Sequence, residues 1–254
     1  MWVQIPPTAP LLIMDKTLIE TLKQWNITSV LPPSVGAFQL SAEFQTVYRE
    51  GDEEEFCLFR YRLAAKPWSV RAVYTPSAAE FSVRTDLGML EFALIDFITD
   101  DWERFRHLVA TRLVRIMTDY YVHCEHNFTA IVKEKGLPEV RWDSFLPSTY
   151  EGFIRYLQPC EAVRIVNGSY MILSYYEAAT ESGLSLMYNV LRDDFFAEQR
   201  VYNFPHSVHD FDSTSVADLQ DALQTRLLPV LTRIRREVEE KRAAIRTTKT
   251  TDVI

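Results

Sequence analysis

Glycine is scarce in this 254-residue chain, and its scarcity closes off several chemistries at once. Seven glycines are present, about 3% where roughly 7% is usual. Gly51, Gly88, Gly168 and Gly183 sit at predicted turns and Gly136 at a predicted helix end, so most already have structural duties. No G-x-G-x-x-G, P-loop or G-x-S-x-G elbow occurs, which disfavours the common nucleotide-binding folds and the α/β-hydrolases.

Cysteine is nearly as sparse. Cys57, Cys124 and Cys160 are an odd number without paired spacing, so neither a disulfide framework nor a zinc site is predicted. Cys57 and Cys160 fall in apolar, strand-like segments, where a small buried thiol is the ordinary role. Long apolar runs are missing too: none approaches the ~18 residues of a membrane span. Met1-Trp2-Val3-Gln4-Ile5-Pro6-Pro7 has no basic segment followed by an apolar one, so no signal peptide is expected. Without secretion the sequons at Asn26, Asn127 and Asn167 carry no meaning. Positive charge is in the minority, with 27 Lys and Arg against 35 Asp and Glu, a net charge of −8. Such a balance favours solubility and opposes phosphate-driven nucleic-acid binding. The expectation is a cytoplasmic protein with neither nucleic acid nor membrane as partner.

What is present is a 47% hydrophobic, 24% charged composition, ample for a packed core, and a self-similarity. Shifted by 114 residues, the second half lies over the first without a gap. Tyr61, Ala64, Ala65, Tyr74, Phe81, Asp96, Phe97, Thr111, Arg112, Leu113 and Thr118 all meet identical residues. The apolar register follows: Phe105, Leu108, Val109, Ile116 and Met117 map onto Leu219, Ala222, Leu223, Val230 and Leu231. Two unrelated strand-then-helix segments that share periodicity are one account of this overlay, and an internal duplication is the favoured one.

The periodicities predict an order of elements. A short helix spans 15–25, with Leu18, Ile19, Leu22 and Trp25 on one face. Leu31-Pro32-Pro33-Ser34 ends it, as Leu146-Pro147-Ser148 does in the second half. Antiparallel strands follow at 56–63, 68–75, 79–86 and 90–97, with counterparts at 170–177, 182–189, 193–200 and 203–210. Residues 163–173 read as a hairpin about Asn167-Gly168. The acidic stretch Arg49 to Glu55 reads as a solvated turn. Each meander feeds a long helix. The first has Asp100 and Glu103 as its cap pair and Trp102, Phe105, Leu108, Val109, Leu113, Ile116, Met117 and Tyr120 as its apolar stripe. The second has Ser215 and Asp218 as its cap, a stripe from Leu219 to Ile234, and Pro229 as a predicted kink. Phe128, Ile131 and Val132 suggest a short helix ending at Gly136.

Candidate chemistry is thin. His123 and His126 share a helix face and are flanked by Glu125; His206 and His209 sit at a strand end beside Asp210 and Asp212. Neither pair matches H-E-x-x-H, and no further ligand spacing closes a set. No catalytic, cofactor or metal residue is assigned, and whether either pair binds a metal stays open. The acidic pairs Asp100-Asp101, Asp193-Asp194 and Glu239-Glu240 suit helix termini, turns and solvent. The mixed-sign last helix, from Arg233 to Arg246, suits solvent as well. Aromatics recur in pairs, Tyr120-Tyr121, Tyr175-Tyr176 and Phe195-Phe196. Adjacent residues on a strand point to opposite faces, so one ring of such a pair lies outside the core or under a helix, and an exposed partner surface and burial on both faces are equal alternatives.

The sequence therefore predicts an α+β protein of two tandem similar units over 12–125 and 126–245, with a flexible tail at 246–254. Each unit is an antiparallel meander flanked by a short N-terminal and a long C-terminal helix. That outline is similar in a loose way to small acidic secretion chaperones, although no motif carries a family. The expected function is non-enzymatic: a protein-interaction or chaperone-like module, binding a protein partner or a second copy of itself, without cofactors. A small-molecule pocket between sheet and helix is the alternative, and a metal enzyme using the histidine pairs the third.

Overall fold

The structure is a computed structural model that describes residues 16–48, 54–127, 133, 135–165 and 168–251, the last six as backbone. The expected helix at Phe128, Ile131 and Val132, the first half of the acidic turn and Asn167 lie outside the described residues. The protein is α+β, with two antiparallel sheets and, among the described residues, three α-helices, the first short and the last long. Contacts divide the chain into two units: Met1–Leu63 with Ser69–Thr85 and Ala93–Val114, and Ala64–Trp68 with Asp86–Phe92 and Arg115–Ile254.

The first sheet is a plain meander. β1 (Ser34–Val35), β2 (Phe38–Tyr48), β3 (Glu54–Leu63), β4 (Trp68–Thr75), β5 (Glu80–Asp86) and β6 (Glu91–Ala93) pair in chain order. α1 (Lys16–Lys23) and α2 (Trp102–Met117) carry the apolar stripes that cover it. Leu22, Trp25, Phe59, Tyr61, Phe81, Phe97, Phe105, Val109 and Leu113 are buried. Their rings meet edge-on and stacked, as in Trp25 on Trp102 at 5.3 Å and Phe81 on Phe105 at 5.3 Å. Such geometry matches the quadrupoles of the rings.

The second sheet runs β7 (Thr149–Tyr150), β8 (Phe153–Leu157), β10 (Ser169–Glu177), β11 (Ser182–Asn189), β12 (Asp194–Val201) and β13 (Phe204–Ser213), with β9 (Val163–Arg164) also paired to β10. β8 and β9 together take the place that the long β2 holds beside β3. α3 (Val216–Thr251) buries Leu219, Leu223, Leu227, Val230, Leu231, Ile234 and Val238. Its helical backbone extends to Thr251, into the segment that the sequence pattern gives to a tail.

The offset of 114 reappears in the element bounds. β4 and β11 begin and end 114 residues apart, as do the first residues of α2 and α3. Buried Tyr61 donates its hydroxyl to the Pro32 carbonyl at 2.6 Å, and buried Tyr175 does the same to Pro147 at 2.6 Å. Tyr74 lies 4.8 Å from Phe81 at 41°, and Tyr188 lies 5.0 Å from Phe195 at 40°.

Several expectations need correction. The strand predicted over 90–97 stops at Ala93, because Ile95–Phe97 form a 3-10 turn that drives Phe97 into the core. α2 is capped by Asp101, whose Oδ1 accepts the Arg104 N–H at 3.0 Å; Glu103 pairs instead with Arg106. Glu55 is no solvated turn residue: it stands in β3, fully buried, 3.1 Å from Arg71 and 3.7 Å from Arg84. Gly183 lies inside β11 rather than at a turn, and a Cβ there would stand 2.0 Å from the Tyr175 carbonyl oxygen.

Candidate functional site

A concavity in the second unit follows from a fault in its edge ladder. On β12 and β13, Phe195 pairs with Ser213 and Ala197 with Val208. Four residues, His209 to Asp212, therefore face the single residue Phe196. Extra residues in one strand must leave the plane of the ladder, and such bulges re-aim side chains. Phe211 turns inward and is fully buried, while Asp210 pairs with Arg233 of α3 at 3.0 Å. His209 and Asp212 turn the other way and bond each other at 2.8 Å.

An open groove of about 630 Å³ results, lined by Arg192, Asp194, Phe196, Ser207, His209, Asp212 and Asp218 among others. Phe196 is its aromatic floor, half-buried, with the Arg192 guanidinium 4.9 Å above the ring. Arg192 also pairs with Asp194 at 3.1 Å. Three aspartates against one arginine leave the groove acidic. At its rim Ser215 caps α3: its Oγ accepts the Asp218 N–H at 3.1 Å and donates to the Asp218 carboxylate. Carboxylates on a rigid edge beside a half-exposed ring suit a cationic, partly apolar chain segment.

In the first unit the same bulge occurs 114 residues earlier. Phe81 bridges Thr99, the Leu94 N–H donates to the Val83 carbonyl, and Ile95 to Ile98 are looped out between them. Ile95 and Ile98, exposed, stand where His209 and Asp212 stand in the second unit. The Asp-Phe dipeptide shared by both bulges has a double duty. Phe97 and Phe211 fill the core, and Asp96 and Asp210 meet Arg112 and Arg226 of the following helix.

The other expected residues are dispersed by the structure. Tyr175, Tyr176 and Phe195 are buried, so of the two strand pairs only Phe196 reaches the groove. Among the described residues, His206 and His209 do not converge on a shared point with a third ligand, whereas His123 and His126 do, around Glu125. Asp193 is bound by Lys135 at 2.7 Å and by the Tyr188 hydroxyl, and these hydrogen bonds hold its carboxyl below the usual range. The basic side of α3 is largely neutralised: Arg233, Arg235, Arg236 and Arg242 all pair with carboxylates.

A second polar cluster escaped the sequence reading. In the first unit Glu43 is held between Arg60 at 3.3 Å and Arg62 at 2.7 Å, with the Cys57 thiol beside it. Burial raises the Glu43 pKa, but Cys57 and the two arginines outweigh it and hold the carboxyl low. Burial, with Glu43 adding to it, pushes the Cys57 thiol up to about 12, in keeping with a fully buried core residue. Burial likewise raises Cys124 to about 12. No signal in the sequence brings these charges together, because strand pairing alone supplies the partners.

Comparison of this chain with protein-family models, with curated proteins and with solved structures finds no match.

Proposed function

We propose that this protein is a non-enzymatic, chaperone-like binding module, built from two copies of one helix–meander–helix unit, whose acidic groove holds a basic segment of a protein partner. The observation that carries the reading is the bulge at residues 209–212. It places Phe196, Asp194, Asp212 and Asp218 around one open groove. Duplication is supported by the offset of 114 that relates β4 to β11, α2 to α3, the two tyrosine–proline bonds and the two bulges.

Two modes of use are disfavoured by physics. Adding a partner's strand to the edge of β13 is obstructed by Pro205, which lacks a donor, and by the bulge itself. Self-association through the groove would bring together acidic surfaces of a chain of net charge −8, which like-charge repulsion opposes. A basic partner meets neither obstacle.

The test is a titration of full-length protein with an unstructured Lys/Arg-rich peptide carrying one or two aromatic residues, and with its Asp/Glu counterpart. The basic peptide should bind and weaken as salt rises, since the Debye length shrinks from ~30 Å at 0.01 M to ~8 Å at 0.15 M. Phe196→Ala with Asp212→Asn should weaken it about tenfold or more, which is ~1.4 kcal/mol or more. Equal binding of both peptides, or indifference to the double substitution, would defeat the reading.

A further inference from the structure

We propose that His123, Glu125 and His126 form an exchangeable site for a divalent transition metal such as zinc, independent of the groove. The three side chains offer ligand atoms that all lie within 4.8 Å of one another. His123 Nδ1 is 3.1 Å from Glu125 Oε1, and His126 Nε2 is 3.7 Å from the same oxygen. Ligands bound at about 2.1 Å around a tetrahedral ion stand ~3.4 Å apart, a spacing that these two distances bracket. Two imidazoles and one carboxylate are a donor set that zinc accepts, with water completing the fourth position. The rings lie 5.1 Å apart at 19° to each other, a near-parallel pair.

The backbone prepares this turn. α2 ends in a π-turn at Thr118–Val122, which swings His123 out of the helical register into the 3-10 turn Cys124–His126. π-turns are rare and concentrate at functional sites. Cys124 is buried, its thiol directed at the Tyr120 and Tyr121 carbonyls at 3.6 and 3.4 Å. At the other end the Asn127 amide donates to the Tyr120 carbonyl at 2.8 Å and to the Ala162 carbonyl at 2.7 Å. The three ligands thus ride on a segment clamped on both sides, while their own side chains remain 47%, 57% and 70% exposed. Preorganised backbone with free ligands is what metal capture requires. Exposure makes the ion exchangeable rather than structural: removing it uncovers no core.

The experiment is calorimetric titration of zinc chloride into chelator-treated full-length protein, repeated with cobalt chloride and read by visible absorption. Expected are one zinc per chain and a cobalt spectrum of the four-coordinate type. His123→Ala, His126→Ala and Glu125→Gln should each weaken binding about tenfold or more, because even outer partners of metal ligands are worth 10–100-fold. His206→Ala with His209→Ala should leave binding unchanged. The three ligand positions and the two control positions are exposed turn or strand sites, and unchanged circular dichroism identifies a variant that has kept its fold. No saturable binding at about 1 mM zinc, or equal affinity in wild type and the His123→Ala, His126→Ala double variant, would overturn the site.

Discussion

Tyr61 and Tyr175 set the pattern at the scale of single residues: each buries its ring and spends its hydroxyl on a proline carbonyl 28 or 29 positions away. Replacing either by Phe leaves that carbonyl without its donor and should cost about 1–2 kcal/mol in chemical denaturation. Burial pushes both phenols up to about 12. An unfolded tyrosine ionises near 10, so between pH 10 and 12 the unfolded chain loses protons that the folded chain keeps. Their stabilising contribution is therefore complete below pH 10 and declines as pH rises through 12. Stability of the double Phe variant should fall less steeply over that range; an identical slope would show that these phenols are not buried. The identity of the two tyrosines was legible in the sequence overlay, whereas their partners were not, since a backbone acceptor leaves no trace in residue type. Glu55 fared worse. Its neighbours are acidic, so the local reading is solvent, but Arg71 and Arg84 arrive from β4 and β5. Glu55→Ala should cost about 3 kcal/mol or more, because it removes one side of a buried ionic cluster.

At the scale of elements, strand and helix positions were readable wherever one periodicity held. β4 and β11 occupy 68–75 and 182–189, as alternation places them, and the stripe of α3 is buried from Leu219 to Ile234. Reading failed where the period breaks. Over 90–97 the apolar residues continue, yet Phe97 is buried while Ile95 and Ile98 are exposed, a sorting that belongs to a looped-out bulge and not to a strand. The groove of the second unit owes its existence to the same break. His123 and His126 were visible as a pair, but their convergence on Glu125 depends on a π-turn that no residue pattern announces. Two substitutions probe these elements. Ser215→Ala should cost about 1 kcal/mol, the usual worth of a helix cap. Gly183→Ala places a Cβ 2.0 Å from the Tyr175 carbonyl oxygen, so β10 and β11 must separate. The loss should be at the upper end of overpacking costs, about 3 kcal/mol or more, and full stability of this variant would mean that the strands sit otherwise.

For the molecule as a whole, the proposed duplication gives the differences between the two units a direction. Positions that keep each unit folded retain their chemistry across the offset of 114. Tyr61 with Tyr175, Phe97 with Phe211, Arg112 with Arg226 and Leu113 with Leu227 are all core or helix-anchoring residues. Positions that face outward have changed. Exposed Ile95 and Ile98 in the first unit correspond to His209 and Asp212 in the second, while buried Ser82 corresponds to half-buried Phe196. If the two units are copies and the proposed binding function belongs to one, a structural constraint acting on both yields this division. It predicts that an experimentally determined structure will superpose residues 54–117 on 168–231 with the strand order and both bulges kept. It also predicts unequal consequences for equivalent surface changes. Ile95→Ala with Ile98→Ala in the first unit should leave binding of the basic peptide unaltered. Phe196→Ala with Asp212→Asn in the second should weaken it about tenfold or more. Both pairs lie at exposed or half-buried positions, so thermal unfolding should move little in either variant. If the substitutions in the first unit abolish binding while those in the second do not, the division of labour is reversed. If an experimental structure gives 54–97 and 168–211 different strand orders, the duplication itself is wrong.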